Sequence, residues 1–229
     1  MNRALAQGID MTDTSVRPPK QKRSQQSLER VLDASVQLLE ENGFEAFTIQ
    51  DVSKRAGVSV GAIYARFGNK ESLLRVVHRH AMESLRPEHD AVAAVDDGPT
   101  DVREVILEAV QAVADIFRGN EDLLRAFMHL GAVDDEIARR GSESSVDLAR
   151  RFEATVLAHR DELSHRDPDT AVDVAYRMAY CTFARQVMYG PEFESDRTIS
   201  WDELVAEVGS ACAAYLLQER ATKPRRRKA

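Results

Sequence analysis

The 229-residue sequence lacks the features of a membrane or secreted protein. No segment approaches the roughly 18 consecutive apolar residues that a transmembrane helix needs, and the first residues contain no apolar run long enough for a signal peptide. Cysteine is scarce, since Cys181 and Cys212 are the two thiols and have no CxxC spacing. This usage is typical of a reducing compartment. We therefore expect a cytoplasmic protein without a membrane span, whose cysteines are small core residues; a redox pair is the alternative.

The sequence also lacks the common motifs of enzyme chemistry. It contains no G-x-S-x-G element, Walker loop, H-E-x-x-H pair or dinucleotide-type glycine loop. His78 and His80 lie two residues apart in a helical pattern and would diverge, and the remaining histidines considered, His129, His159 and His165, have no partner at zinc spacing. We expect a protein that is not an enzyme and binds no cofactor or metal. A metal sensor would need ligands scattered along the chain.

The most informative pattern lies in residues 48–74. Thr48 can cap one short helix, Gly57 can end it in the left-handed conformation, and Ser59 can cap the next. Ile63 would anchor this second helix, whose other face is small and polar. Two short helices joined by a tight turn form a helix-turn-helix, which places its second helix in the DNA major groove.

This segment resembles the DNA-binding domain of the TetR family of bacterial transcriptional regulators. The resemblance spans residues 24–80 and is carried by Gly43-Phe44, Thr48, Ala56-Gly57-Val58-Ser59, Gly61, Tyr64, Phe67 and Asn69-Lys70-Glu71-Ser72-Leu73. Ala62 and Arg66 stand where the family often has Thr and His, so the operator sequence cannot be carried over. The resemblance and the helix pattern together predict a DNA interface formed by Thr48, Ser59, Val60, Gly61, Ala62, Tyr64, Ala65, Arg66 and Lys70.

The distribution of charge agrees with a nucleic-acid partner, although the net charge is −7. Residues 1–80 contain 12 Lys or Arg and 9 Asp or Glu, whereas residues 81–220 contain 14 and 29. Residues 221–229 add five basic residues and no acid. A basic segment on an acidic body favours phosphate attraction. Chance asymmetry is the alternative explanation.

Helical patterns continue along the chain, without a convincing strand or a repeat of fixed period. Beyond the helix-turn-helix, helices are predicted over 24–42, 70–86, 101–119, 123–131, 142–163, 167–189 and 200–218, with Pro87 stopping the fourth helix and a loop at Asp96-Asp97-Gly98-Pro99. Asp134-Asp135-Glu136 is interpreted as a capped, solvated helix start. The predicted fold class is all-α, with an N-terminal three-helix DNA-binding domain and a C-terminal helical bundle for ligand binding and dimerisation. Its predicted divisions are a flexible basic arm (1–23), the DNA-binding domain (24–70), the bundle (71–220) and a basic tail (221–229). The arm and the tail either contact DNA or are solvated.

The resemblance further implies a small-molecule effector and a homodimer. The effector pocket would lie between the middle helices of the bundle, where the candidate residues are Phe117, Phe127, Met128, His129, Phe152, Tyr176, Arg177, Tyr180 and Phe183. The last two long helices are apolar over wide arcs, and Gly209 and Ala213 would let helices approach closely. They are the predicted dimer surface, with a core inside one protomer as the alternative. A dimer would read two half-sites of a near-palindromic double-stranded operator.

The sequence therefore predicts a ligand-responsive dimeric DNA-binding transcriptional regulator, a repressor released from its operator by a small apolar or amphipathic effector. The alternative is an all-α small-molecule-binding or catalytic protein with an incidental helix-turn-helix. The face of residues 59–66 distinguishes the two, because an incidental packing helix would bury bulky apolar residues there. The fourth helix is the predicted link, since its start packs on the DNA-binding segment and its end abuts the bundle.

Overall fold

The computed structural model describes residues 20–95 and 101–218, and within these ranges the chain is helical and contains no strand. The helices are α1 (Lys20–Asn42), α2 (Ile49–Ala56), α3 (Val60–Phe67), α4 (Lys70–Ser84), α5 (Arg86–Ala93), α6 (Val102–Gly119), α7 (Glu121–Gly131), α8 (Asp135–Leu157), α9 (Pro168–Tyr189) and α10 (Trp201–Leu217). A 3₁₀ turn (Arg160–Glu162) lies between α8 and α9. The predicted all-α class is confirmed. Residues 1–19 of the predicted arm, loop residues 96–99 and tail residues 221–229 lie outside the described residues, whereas arm residues 20–23 form the first turn of α1, four residues before the predicted start of that helix.

The helices of the described part are too short or too polar to cross a membrane.

Local capping explains where the first helices begin and end. Thr48, Ser59 and Asn69 each accept a hydrogen bond from a backbone N–H three residues further on, over 3.1, 3.2 and 2.8 Å. Gly57 ends α2 with φ +63°, a conformation that side chains with a Cβ rarely adopt. The helix-turn-helix predicted from these caps is confirmed. We call α1, α2 and α3 the reader.

Pro87 begins a helix rather than stopping one. α4 ends at Ser84, and Pro87 lies in the first turn of α5. The N–H groups of a first turn have no acceptor within their helix, so a proline there loses no helical hydrogen bond. The predicted fourth helix was therefore too long, and α5 was missed.

α8 begins seven residues before the predicted start. The Asp134 side chain accepts hydrogen bonds from the N–H groups of Glu136 and Ile137 over 3.0 and 3.1 Å, and α8 continues unbroken through Gly141. Ile137 is 1% exposed. The segment from Asp134 is thus a capped helix start, as predicted, but its first turn packs into the core and is not simply solvated.

Two hydrophobic cores hold the described helices together. One lies among α6, α8, α9 and α10, with Val92 of α5 added. The other contains the reader, α4, Ile137 and four residues of α7, namely Leu123, Ala126, Phe127 and Leu130. The α7 residues therefore complete the core of the reader. The predicted domain boundary after residue 70 stays a prediction.

The small residues of α10 pack inside the protomer. Gly209 and Ala213 are both buried, and a Cβ on Gly209 would lie 3.0 Å from Cδ2 of Leu107 in α6. The close approach predicted for two protomers is thus made by α6 of the same chain. The interpretation of the cysteines is also half wrong, because Cys212 is buried whereas Cys181 is exposed.

Candidate DNA interface and effector cavity

α3 presents a small and exposed face to solvent. Its anchor Ile63 is 1% exposed, whereas Tyr64 is 45% exposed. The remaining exposed residues of the helix are Gly61, Ala62, Ala65 and Arg66. Small side chains at these positions let the helix backbone come close to a DNA groove. The alternative of an incidental packing helix required a buried, bulky face here, and the structure shows the opposite.

Polar residues at the edges of this face already have partners within the protein. Thr48 and Ser59 are exposed but serve as N-caps, and the Thr48 hydroxyl donates to Asp51 over 2.5 Å. Arg66 donates to the backbone oxygen of Ser24 over 3.0 Å. These bonds fix the starts of α2 and α3 and join the last turn of α3 to α1. Val60, also predicted to contact DNA, is half-buried at the start of α3.

Lys70 is partly committed to the protein rather than free for phosphate. Its Nζ donates to the backbone oxygen of Phe47 over 2.7 Å and lies 5.2 Å from the centre of the Phe44 ring. Arg55, a neighbouring basic group, forms two hydrogen bonds to Glu41 over 2.6 and 2.7 Å. The DNA face therefore has fewer uncompensated charges than its sequence suggests. DNA binding by these residues stays a prediction.

A cavity of about 320 Å³ lies between α4, α5, α6, α7, α8 and α9. Its wall is mostly apolar and includes Met82, Leu85, Ile116, Phe117, Leu124, Phe127, Met128, Ile137, Leu148 and Tyr180. His78, His89, Ser144 and Ser145 provide the polar groups. A concave apolar site with few polar groups is the usual form of a small-molecule site.

Four of the predicted effector residues line this cavity: Phe117, Phe127, Met128 and Tyr180. Their contact with an effector stays a prediction.

The other predicted effector residues lie elsewhere. Phe152, Tyr176 and Phe183 are buried in the core beside the cavity, and the Tyr176 hydroxyl donates to the backbone oxygen of Ser145 over 2.9 Å. His129 is exposed in a different cleft, between α7 and the end of α1. Arg177 is exposed and pairs with Asp173 on its own helix over 2.9 Å. Helical spacing alone cannot separate a residue that faces a cavity from one that faces a neighbouring helix.

Two polar cavity residues, His78 and His89, were not among the predicted effector residues. His78 is 2% exposed, its ring lies edge-on to Phe127 at 4.7 Å, and its Nδ1 has no hydrogen-bond partner among the described residues. Burial lowers the pKa of His78 to about 4, so the ring is neutral at pH 7. Burial also lowers the pKa of His89. A signal for His78 was present, because it shares a helical face with Leu74 and Ala81. His89 lies in α5, a segment for which no helix was predicted.

A polar cleft of about 410 Å³ adjoins the cavity between α4, α5 and α8. The two spaces share His78, Met82, His89 and Ser144. The outer part of the cleft is lined by charged residues: Arg79, Glu83, Arg86, Arg140, Glu143, Asp147 and Arg150. We call it the arginine cleft.

α4 connects the reader with the cavity. Leu73 and Val77 are buried in the core of the reader, whereas His78 and Met82 line the cavity. Ion pairs attach the same helix to the start of α8. Arg75 Nε lies 2.9 Å from Asp134 Oδ2 and 3.5 Å from Glu136 Oε2.

Arg140 of α8 strengthens this attachment. It donates to the backbone oxygen of Arg75 over 3.2 Å and pairs with Glu136 over 2.6 Å. A change in the position of α8 would therefore also change the position of α4.

Comparison with known proteins identifies the family. The family model described as bacterial regulatory proteins of the tetR family matches residues 31–77. A helix-turn-helix transcriptional regulator of Mycobacterium bovis is 31% identical over 152 residues, which cover 66% of this chain and 72% of that protein. Other relatives match over less: the chain spans 16% of the regulator YerO of Bacillus subtilis at 44% identity, and 41% of the regulator BetI of Burkholderia lata at 30% identity.

Solved structures show the same fold. A TetR-family regulator from Mesorhizobium loti superposes with a TM-score of 0.65 at 16% identity, covering 84% of this chain and 96% of that one. The regulator FadR of Bacillus subtilis gives a TM-score of 0.57 at 19% identity, covering 82% and 97%. Together with the exposed α3 face, these similarities establish that the chain belongs to the TetR family of helix-turn-helix transcriptional regulators.

Proposed function

We propose that this protein is a dimeric repressor that leaves its operator when a small apolar or amphipathic effector occupies the cavity. The observation that carries the proposal is the position of α4. One face of this helix completes the core of the reader, and two of its side chains, His78 and Met82, form part of the cavity wall. An occupant that displaces α4 would change the position of α3.

Dimerisation is supported by apolar residues that α9 and α10 leave partly exposed. Met178 is 37% exposed, and Val174, Leu204, Val208 and Tyr215 are half-buried. We call these five residues the α9–α10 stripe. The two helices pack against each other, so the stripe can bury apolar surface between protomers. Pairing would present two α3 helices to two half-sites of a near-palindromic operator.

A neighbouring structure supports an amphipathic effector. FadR of Bacillus subtilis, which shares the fold, was solved in complex with stearoyl-CoA. The apolar cavity and the adjoining arginine cleft would suit a molecule with one apolar and one polar end.

Release by an effector requires that effector binding and operator binding be thermodynamically linked. An effector can shift the protein only if it binds the DNA-free arrangement more tightly than the DNA-bound one. Effector and operator must then weaken each other's binding by the same factor.

Operator selection followed by release tests the proposal. The full chain is used to enrich fragments from sheared genomic DNA, and fluorescence anisotropy then measures the affinity of a labelled fragment. Saturated fatty acids and their CoA thioesters serve as effector probes. We expect a footprint of two half-sites centred about one helical turn, or a multiple of it, apart, and weaker operator binding with at least one probe. Failure to enrich any sequence would overturn the proposal, and tighter operator binding with a probe would exclude release as the response.

A further inference from the structure

The arginine cleft carries more uncompensated positive than negative charge. Its carboxylates Glu143 and Asp147 already pair with Arg139 and Arg151, which lie on the same helix. Arg140 is likewise paired with Glu136.

Three arginines of the cleft are left without such a partner. Within residues 20–95 and 101–218, no carboxylate lies within 4.0 Å of the guanidinium groups of Arg79, Arg86 and Arg150. Glu83 is the one acid of the cleft that also lacks an ion pair within those residues. The cleft is therefore a positively charged opening beside an apolar cavity.

A buried and unpartnered polar atom lies where the two spaces meet. His78 lines both the cavity and the arginine cleft, is 2% exposed, and has no hydrogen-bond partner for Nδ1 in the described part of the chain. A buried polar atom without a partner is costly. Because Nδ1 itself has almost no exposed surface, the ring would have to turn before a ligand oxygen at this junction could supply the missing hydrogen bond.

We propose that the effector is an amphiphile with a negatively charged head, namely an alkyl chain bearing a carboxylate or carried as an acyl thioester of a phosphorylated carrier. The alkyl chain lies in the apolar cavity, and its carbonyl or carboxylate group lies beside His78, where the two spaces meet. The negative charge lies among Arg79, Arg86 and Arg150. The inference rests on the proposed function in one respect, that the cavity is the effector site.

The two sides of the arginine cleft give the head group a mechanical role. Arg79 belongs to α4 and Arg86 to α5, whereas Arg150 belongs to α8. An anion between them draws α4 and α8 together, and α4 also packs against the reader. The head group, rather than the chain alone, would then set the position of α3.

Isothermal titration calorimetry on the full chain without DNA tests the head group. The probes are dodecanoate, dodecanol and dodecyltrimethylammonium, each below its micelle-forming concentration, so that the alkyl chain stays constant. We expect dodecanoate to bind about tenfold more tightly than dodecanol, which a few exposed charge pairs can supply, and the cation to bind more weakly than both. Dodecanoyl-CoA separates the two sources of negative charge: tighter binding than dodecanoate indicates the thioester, and weaker binding indicates the free carboxylate.

Charge-neutralising variants locate the head group. Arg86→Gln and Arg150→Gln should each lower dodecanoate affinity about threefold and leave dodecanol affinity unchanged. Arg103→Gln is the matched control, because Arg103 is exposed on α6, outside the arginine cleft. Equal affinity for dodecanoate and dodecanol, no binding of any probe, or an equal effect of Arg103→Gln would overturn the proposal.

The outcome is separable from that for the repressor itself. Charge-selective binding without operator release would leave the head-group site standing and count against the proposed function. Operator release by dodecanol and dodecanoate alike would support the proposed function and count against the head-group site.

Discussion

Two neighbouring side chains on α3 have opposite environments: one contributes to folding, and the other is available to contact DNA. Ile63 is 1% exposed and anchors the helix, whereas Tyr64 is 45% exposed and has no buried role. Tyr64→Ala should therefore lower operator affinity about tenfold and leave the melting temperature nearly unchanged. Anisotropy and thermal unfolding are measured together. Tyr189→Ala, an exposed tyrosine at the end of α9, is the control and should leave operator affinity unchanged. A large loss of thermal stability in Tyr64→Ala would instead make Tyr64 a packing residue.

The buried ring of His78 makes stability depend on pH in a defined direction. Its pKa is lowered from 6.5 to about 4 in the folded protein, so the unfolded chain binds the proton more readily. The contribution of neutral His78 to the free energy of unfolding should therefore be fully present above pH 6.5. It should decrease by about 3 kcal/mol as the pH falls toward 4. His89, whose pKa is also lowered, contributes with the same sign.

Urea unfolding of the wild type and of His78→Phe at pH 7, 6 and 5 measures this contribution. Phenylalanine keeps an aromatic contact with Phe127 and cannot be protonated, so the variant should lose less stability between pH 7 and pH 5. Parallel pH profiles for the two proteins would contradict the assignment.

Which residues could be predicted from the sequence depends on how local their causes are. The caps Thr48, Ser59 and Asn69 were predictable, because a cap and its partner N–H lie three residues apart. The role of His78 was not, because the cavity that it lines is formed together with α7 and α8, which lie far away in sequence. The same reason explains why Phe117 lines the cavity and Phe183 does not, although both are buried aromatics in helical patterns.

Between elements, α10 packs tightly against α6 at Gly209. Because a Cβ on Gly209 would lie 3.0 Å from Leu107, Gly209→Leu should overpack this contact and lower the free energy of unfolding by about 1–3 kcal/mol. Ala206→Leu is the matched control on the same helix, since Ala206 is exposed and its added bulk meets solvent. Urea unfolding at one fixed protein concentration compares them. A Gly209→Leu protein of normal stability that has lost its dimer would place this glycine between protomers after all.

The ion pairs between α4 and α8 should affect communication more than stability. Arg75 is 41% exposed, and exposed pairs stabilise folded proteins weakly. Arg75→Gln should therefore leave the melting temperature close to wild type but reduce the factor by which dodecanoate weakens operator binding. Arg177→Gln, which removes a pair within α9, serves as the control. An unchanged factor, measured by anisotropy with and without dodecanoate, would show that these pairs do not transmit the effector signal.

Helix boundaries that depend on short-range signals were predicted well, whereas those that depend on packing were not. α9 and α10 begin one residue after the predicted starts Asp167 and Ser200, which are their N-caps. The start of α8 was missed because Gly141 interrupts the apolar pattern, and the burial of Ile137 against the reader overrides that interruption. α5 was missed because proline at a helix start and proline after a helix end look alike in sequence.

For the whole molecule, the α9–α10 stripe predicts the oligomeric state. Val208→Glu places a charge in this stripe, so we expect it to favour the monomer and to lower operator affinity at the same time, because one α3 alone reads one half-site. Ala206→Glu adds the same charge to an exposed position outside the stripe and should remain dimeric. Analytical ultracentrifugation and anisotropy measure both properties. A Val208→Glu protein that stays dimeric would exclude the stripe as the interface.

The four α7 side chains in the core of the reader limit how such a protein can be recombined. Leu123, Ala126, Phe127 and Leu130 fill space that α1 and α4 leave open, and Phe127 also faces the cavity. A chimera that joins residues 20–84 to the body of another regulator would inherit an unfilled hole unless α7 came with it. New pairings of operator and effector are therefore reached more easily by substituting surface residues of α3 than by exchanging whole segments. Because Phe127 belongs both to the core of the reader and to the cavity wall, a substitution that adapts the cavity to a new molecule can also loosen the packing of the reader. Evolution of a new effector specificity is therefore limited to changes that keep this packing.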